Sequence, residues 1–327
     1  MKTVPCEVCG SNQHQFLFEG WDRIFGIPGR FKIVQCKECG LNFINPQPEP
    51  EDLKEYYPKE YYTPKPSHYR EYSWMRRKVL ETFYGYRYHS NSPNIMPLLK
   101  KMVLFPFRVR YRHSIPFVEG GKLLDIGCAN GTALYRLKLM GWEVYGVEID
   151  GEASERARSK GLSVFTGDLL EANYPDHFFH VVRMDMVFEH LPNPKEVLFE
   201  INRILMPKGR IYISVPNARS LNYLLFRKWW FSLEVPRHLF SYTPKTIQML
   251  LSPLGLKIKT LWFDSGTKPF LMSLQYWVNE RHGRGAMYQT PQPIADSRFL
   301  KLLFRPLCWV IDRTRFGDLM YLEVIKN

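Results

Sequence analysis

The stretch Leu123-Leu124-Asp125-Ile126-Gly127-Cys128-Ala129-Asn130-Gly131 decides how the rest of this chain is read. An apolar run of strand length ends in a glycine turn, and Thr132 to Met140 continues as a helix. Small residues at such a turn let a ligand approach the backbone, where the first amides of the helix are free to receive it. A dinucleotide fingerprint G-x-G-x-x-G started at Gly127 would need glycines at Ala129 and Thr132, and it fails at both. The next strand, Val144-Tyr145-Gly146-Val147-Glu148-Ile149-Asp150, brings an acid about 20 positions further on, and Glu148 can accept both hydroxyls of a ribose. A third strand leads into Gly167-Asp168-Leu169.

Outward from this core, β-rich runs alternate with helical ones. The strands are expected at Lys122 to Ile126, Glu143 to Glu148, Ser163 to Thr166, His180 to Met184, Arg210 to Val215, Leu256 to Phe263 and Leu319 to Ile325. Such alternation predicts an α/β, Rossmann-like, seven-stranded and mostly parallel sheet with helices on both faces. Thr243-Pro244 supplies an N-cap and a first-turn proline, which marks a helix start. Residues 119–327 are expected to form this domain, with a helical insertion at about 267–315 between its last two strands.

Before it, residues 47–118 read as an aromatic and basic helical linker or lid. Tyr72, Met75, Val79, Phe83 and Tyr86 recur at helical spacing, and Pro97 and Pro106 bracket an apolar run, Leu98 to Phe105. We expect that run to be a short helix packed on the catalytic domain, in preference to a membrane contact. Residues 1–46 form a separate module closed by the proline-rich Asn45 to Pro50. In it Cys6-Glu7-Val8-Cys9-Gly10 and Cys36-Lys37-Glu38-Cys39-Gly40 are two copies of one knuckle. Four thiolates on two tight turns predict a zinc-ribbon-like site, and a full set of four ligands leaves no place for water, so the metal is expected to be structural. A core this small needs the ligation energy to fold.

The composition is that of a globular protein, with 45% hydrophobic and 24% charged residues in 327. The start lacks an apolar signal region and no long apolar run occurs, so a cytoplasmic location without a transmembrane segment is expected. The formal charge of +13 is concentrated between His68 and His113, where ten Lys or Arg face only Glu71 and Glu81. Such a segment attracts RNA, anionic lipid headgroups or a sugar diphosphate, unless it is simply a solvated helical face.

The string from Asp125 to Gly131 resembles the first motif of class I S-adenosylmethionine-dependent methyltransferases, D-x-G-x-G-x-G, with Ala129 in place of the middle glycine. The run from Phe179 to Leu191 resembles the same family's "FDVV … EHL" stretch, with His180 where aspartate is usual. Pro236-Arg237-His238-Leu239-Phe240 is similar to an element of the zinc-module methyltransferases of glycan and deoxysugar biosynthesis. The resemblance implies a donor site of Asp125, Gly127, Ala129, Gly131, Glu148, Ile149, Asp168, Leu169 and Met184, with Asp168 near the adenine amine. It implies S-adenosylmethionine as methyl donor, a structural zinc ion on Cys6, Cys9, Cys36 and Cys39, and a sugar or nucleotide-linked sugar as acceptor.

A sugar hydroxyl is a poor nucleophile until its proton is taken, and histidine suits that task. His190 and His238 sit on segments expected at the carboxyl ends of strands, where open α/β sheets bind ligands. His238 is the expected base, with Arg237 gripping an anionic acceptor group. Trp229, Trp230 and Phe231 either stack on a sugar ring or belong to the core. An RNA methyltransferase using the basic segment is a second reading, although the Asn/Asp-Pro-Pro-Tyr/Phe of base amine methylation is absent. A non-catalytic adaptor is a third. The oligomeric state is not legible in the sequence.

Overall fold

The computed structural model describes residues 1–58, 61, 72–87 and 97–327. The chain divides into two compact units, one of residues 1–59, 184–202 and 213–327, the other of residues 60–183 and 203–212. The main sheet has seven strands in the order β10-β11-β8-β7-β4-β5-β6. They are β4 (Lys122–Ile126), β5 (Glu143–Glu148), β6 (Ser163–Thr166), β7 (Phe179–Asp185), β8 (Leu205–Pro216), β10 (Leu256–Asp264) and β11 (Leu319–Lys326). β4 pairs parallel to β5 and β5 parallel to β6, whereas β10 and β11 pair antiparallel. The strand order reverses at β4, the switch point at which sheets of this type hold ligands.

In the unit of residues 60–183 and 203–212, β4 is buried along almost its whole length, as a strand covered on both faces must be. The expected helix near Tyr72 to Tyr86 runs Trp74–Phe83, started by the Ser73 hydroxyl accepting from the Arg76 amide. Its Val79 and Leu80 enter a core with Leu123, Leu134, Trp142 and Val181. Tyr86 fixes the junction, since its hydroxyl donates to the Ile115 carbonyl (2.8 Å) and accepts from the Trp142 indole (3.1 Å). His180, at the position usually held by aspartate, accepts from the Lys122 amide at 3.1 Å and so ties β7 to the start of β4.

The apolar run after Pro97 meets expectation in part. It is a helix, Pro97–Arg108, with Pro106 inside it. Only Leu104 is buried; Leu98, Leu99, Met102, Val103 and Phe105 are all more than half exposed. The run therefore packs into the core with Val79, Leu80 and Leu123 through Leu104 and leaves its other apolar side chains bare. Of the basic segment, residues 68–71 and 88–96 lie outside the described residues.

In the other unit, the N-terminal strands β1 (His14–Gly20), β2 (Phe31–Cys36) and β3 (Asn42–Ile44) form an antiparallel sheet whose fourth strand, β9 (Phe240–Ser241), comes from just beyond Arg237 and His238. Phe43 faces Phe240 and Asn42 faces Ser241 across that pairing. Trp230, Leu233 and Val235 pack with Phe31, Ile33 and Ile44. Trp230 is thus core, and its indole donates to the buried Asp318 (2.6 Å), which also accepts from Ser220 and Ser232. Between β10 and β11 the expected insertion contains helices Lys268–Arg281, Pro293–Asp296 and Arg298–Arg313.

Candidate functional site

The glycine turn after β4 is built as a ligand-facing bend. Gly127, Ala129 and Gly131 all adopt positive φ, at 68°, 47° and 70°. Gly131 has a second constraint, because a Cβ there would stand 2.5 Å from Leu162 Cδ1 and 2.8 Å from Ala157 Cβ. Ala129 accepts the left-handed conformation with its methyl group in place, at a cost of about 1–2 kcal/mol. Gly127 and Ala129 are exposed, so the backbone of the bend is open to a ligand.

Glu148 holds the bend. One carboxylate oxygen accepts from the Ala129 amide (2.7 Å) and the other from the Asp150 amide (2.9 Å). Burial raises its pKa and these amides oppose the shift. Each oxygen retains a second lone pair with which to accept from a ribose hydroxyl. Beside it Ile149 is 67% exposed, an apolar surface against which an adenine ring can lie, while Asp150 caps the helix Gly151–Arg158 through the Ala153 amide. Asp168 stands at the exit of β6, half-buried, and caps the turn Leu169–Glu171 with Leu169 buried beneath it.

Asp125 is not free to meet a ligand directly. It is 1% exposed, and both of its oxygens lie 2.8 Å from Nη1 of Arg183. The ion pair keeps a charge under the turn, and Arg183 was not singled out in the sequence because its partner is 58 positions away. Met184 is fully buried, so its side chain is packed in the interior and does not offer a ligand contact. Strand alternation instead exposes its neighbour Asp185, which receives a hydrogen bond from the Ser214 hydroxyl.

Glu189, His190 and His238 form a second cluster, in the unit of residues 1–59, 184–202 and 213–327, with one ligand-type atom from each lying within 4.8 Å of the others. The two imidazole rings meet edge to face at 4.6 Å. Nδ1 of His238 lies 2.8 Å from the Ser232 carbonyl and Nδ1 of His190 lies 3.0 Å from the Arg237 carbonyl. Carbonyls only accept, so the His238 ring carries its proton on Nδ1 and keeps the Nε2 lone pair. Tyr57 adds its hydroxyl at 2.9 Å from His190 Nδ1. Nε2 of His238 points toward Glu234 (3.6 Å) and Glu189 (3.9 Å). Burial drives the pKa of both histidines down to about 3, reinforced at His190 by His238, so both are neutral. Glu189 is wholly buried, with neither oxygen hydrogen-bonded among the described residues, and desolvation raises its pKa well above normal.

Arg237 does not have the role expected of it. Its side chain is wholly buried, Nε donates to Glu234 (3.0 Å), Nη2 to Asp22 (2.7 Å) and Nη1 to the Tyr56 carbonyl (2.9 Å). No face of the guanidinium is left to grip an acceptor anion. It is a strut that fixes the His238 segment to the N-terminal strands, and Asp22 lies 215 positions away.

The four N-terminal thiols converge, with Sγ of Cys6 at 3.4 Å from that of Cys39 and Sγ of Cys9 at 3.5 Å from that of Cys36. Their backbones repeat. Gly10 and Gly40 donate to the Cys6 and Cys36 carbonyls, and the Cys6 and Cys36 amides donate to the Ser11 and Leu41 carbonyls. Thiolates bound at about 2.3 Å around one ion would lie slightly further apart than this, so the cradle is compatible with tetrahedral zinc. Burial pushes the Cys6 thiol up to about 11, against the Cys9 and Val8 amides, so ionisation there needs a cation.

Residues 103–261 match the family model described as a methyltransferase domain. Among curated proteins the chain is similar to ubiquinone biosynthesis O-methyltransferases. One from Methylococcus capsulatus is 29% identical over 37% of this chain and 54% of the relative, and one from Proteus mirabilis is 28% identical over 43% and 58%. The chain thus spans little more than half the length of these relatives. A solved S-adenosylmethionine-dependent methyltransferase from Archaeoglobus fulgidus is 23% identical, with a TM-score of 0.46 over 70% of this chain and 98% of that one.

Proposed function

We propose that this chain, which carries a methyltransferase domain at residues 103–261, moves a methyl group from S-adenosylmethionine to a hydroxyl oxygen of a small polar acceptor. The observation that carries the reading is the left-handed turn of Gly127, Ala129 and Gly131, held open by Glu148 beside the exposed Ile149. When bound, the donor supplies an electrophilic methyl group on a sulfonium. Glu148 would accept from the ribose, Ile149 would lie against the adenine and Asp168 would meet its amine, while the bare backbone of the turn would leave room for the methionine end.

An oxygen acceptor is favoured because the curated relatives are O-methyltransferases. Nε2 of His238, whose tautomer Ser232 fixes, would take the acceptor's proton, with Glu234 at 3.6 Å placed to stabilise the imidazolium that forms. His190, held by Tyr57 and the Arg237 carbonyl, sets the orientation of that ring. Zinc on Cys6, Cys9, Cys36 and Cys39 is structural, since four thiolates fill its coordination sphere.

For the acceptor we favour a sugar or nucleotide-linked sugar, on the resemblance of the His238 segment. A hydroxylated intermediate of ubiquinone biosynthesis is the second reading, favoured by the relatives' names. The deciding experiment incubates the chain with methyl-labelled donor and separate panels of nucleotide sugars, ubiquinone precursors and RNA. Label in the first panel supports the favoured class, label in the second selects the alternative, and label in RNA alone overturns both.

A further inference from the structure

Outside the matched domain, the helix Arg298–Arg313 has a face that the fold leaves bare. Phe299, Leu302, Leu303, Trp309 and Val310 are each at least half exposed and recur at spacings of three and four, so they form one stripe. The opposite side is satisfied, with Cys308 and Ile311 buried and Leu300 and Phe304 packed against Leu271, Met272 and Tyr276. The helix is therefore anchored by one face and displays the other.

The rim of the bare face is cationic. Arg298, Lys301, Arg305 and Arg313 flank it, and Asp312 is the helix's one acid. Arg298, Lys301 and Arg305 line a cleft of about 540 Å³ together with Leu302, Trp309, Asp264 and Asp312. Among the described residues none of these three cations is in an ion pair. The Arg313 guanidinium lies 3.4 Å from the centre of the Trp309 ring, an arrangement that keeps an exposed indole beside a charge.

We propose that the helix Arg298–Arg313 is a membrane-surface element that lies in the headgroup layer of a bilayer rich in anionic lipid. An apolar stripe with aromatic residues, a Lys/Arg rim and a second side fixed to the protein core is the build of an interfacial helix. At 16 residues it spans about 24 Å and carries five Lys, Arg and Asp side chains, so it lies on the surface and does not cross. No helix among the described residues is long and apolar enough to span a membrane. A second copy of the chain fits the face less well, because a two-fold contact would set one cationic rim against another. The helix Pro97–Arg108 independently repeats the pattern, with Leu98, Met102 and Phe105 exposed beside Lys100, Lys101 and Arg108.

The test is flotation of the full chain with vesicles of phosphatidylcholine alone and of phosphatidylcholine with about one third phosphatidylglycerol. The chain is expected to float with the anionic vesicles only, and less at 1 M salt, where charge attraction is screened beyond about 3 Å. Leu302→Glu with Val310→Glu, and separately Arg298→Ser with Lys301→Ser and Arg305→Ser, are each expected to lower binding at least about tenfold. All five positions lie on the surface, so far-ultraviolet circular dichroism and donor binding should match the parent chain. Failure of the parent chain to float, equal flotation with uncharged vesicles, or unchanged binding by both variants would overturn the proposal. So would a dimer in sedimentation equilibrium that Leu302→Glu with Val310→Glu dissociates while vesicles go unbound. None of these results bears on the methyltransferase reading, which rests on residues elsewhere.

Discussion

Gly131 combines two demands that one side chain cannot meet, a φ of 70° and a Cβ position already occupied by Leu162 and Ala157. Gly131→Ala should destabilise the chain by about 2–3 kcal/mol in urea unfolding, from backbone strain and overpacking together. Glu148→Gln puts an amide group where a carboxylate accepts from two backbone amides, so one donor loses its partner. Donor affinity in calorimetry should fall at least about tenfold, while unfolding shifts by about 1–3 kcal/mol. The buried cluster gives a pH signature. His190 and His238 stay neutral in the fold and protonate in the unfolded chain below about 6.5, so their contribution is lost as pH falls below that value. Glu189 acts in the opposite sense, because its raised pKa keeps a proton in the fold that the unfolded chain releases above 4.5. Between these values the histidines dominate, so stability rises with pH, and Glu189→Gln should make that rise steeper in urea midpoints measured from pH 4.5 to 6.5. Glu148 and Asp168 were legible as candidates because a strand, a turn and an acid at fixed spacing are local patterns. The burial of Arg237 was not, because the Asp22 that consumes it lies at the other end of the chain.

At the scale of elements, β4, β5 and β6 fall where alternation of strand and helix signals places them, since each is a short apolar run bounded by turns. β8 begins at Leu205, earlier than the Arg210 expected, although the chain does bend at Pro207-Lys208-Gly209, where Lys208 takes a φ of 62°. β9 could not be read at all. Two residues make a strand only because β3 is there to pair with them. Hydrophobicity likewise predicted the helix Pro97–Arg108 but not its bare face, since an apolar run has the same appearance whether a core or a solvent-facing groove receives it. The cysteine knuckles are the opposite case, with ligand type, spacing and glycine all within five residues. Cys36→Ser should reduce zinc from one per chain in elemental analysis and lower the melting temperature by several degrees, because ligation energy is folding energy for so small a core. An unchanged melting temperature with zinc absent would show that the packing of Phe31, Ile33 and Ile44 suffices.

For the whole molecule, the proposed donor turn and its acids lie within residues 103–261, which match the methyltransferase-domain model, while the N-terminal strands and the helix Arg298–Arg313 lie outside them. His238 joins these levels, because its ring is placed by Ser232, its segment is fixed by Arg237 to Asp22, and β9 directly after it completes the N-terminal sheet. His238→Ala should therefore lower turnover at least about a hundredfold with donor affinity unchanged, as loss of a proton acceptor does, and equal loss of both would show a structural role only. Donor binding by the Glu148 turn is the property on which methyl transfer depends most directly. Calorimetric titration of the folded, zinc-loaded chain with S-adenosylmethionine should give one site per chain that Glu148→Gln weakens, and no heat of binding, or binding indifferent to Glu148, would contradict it.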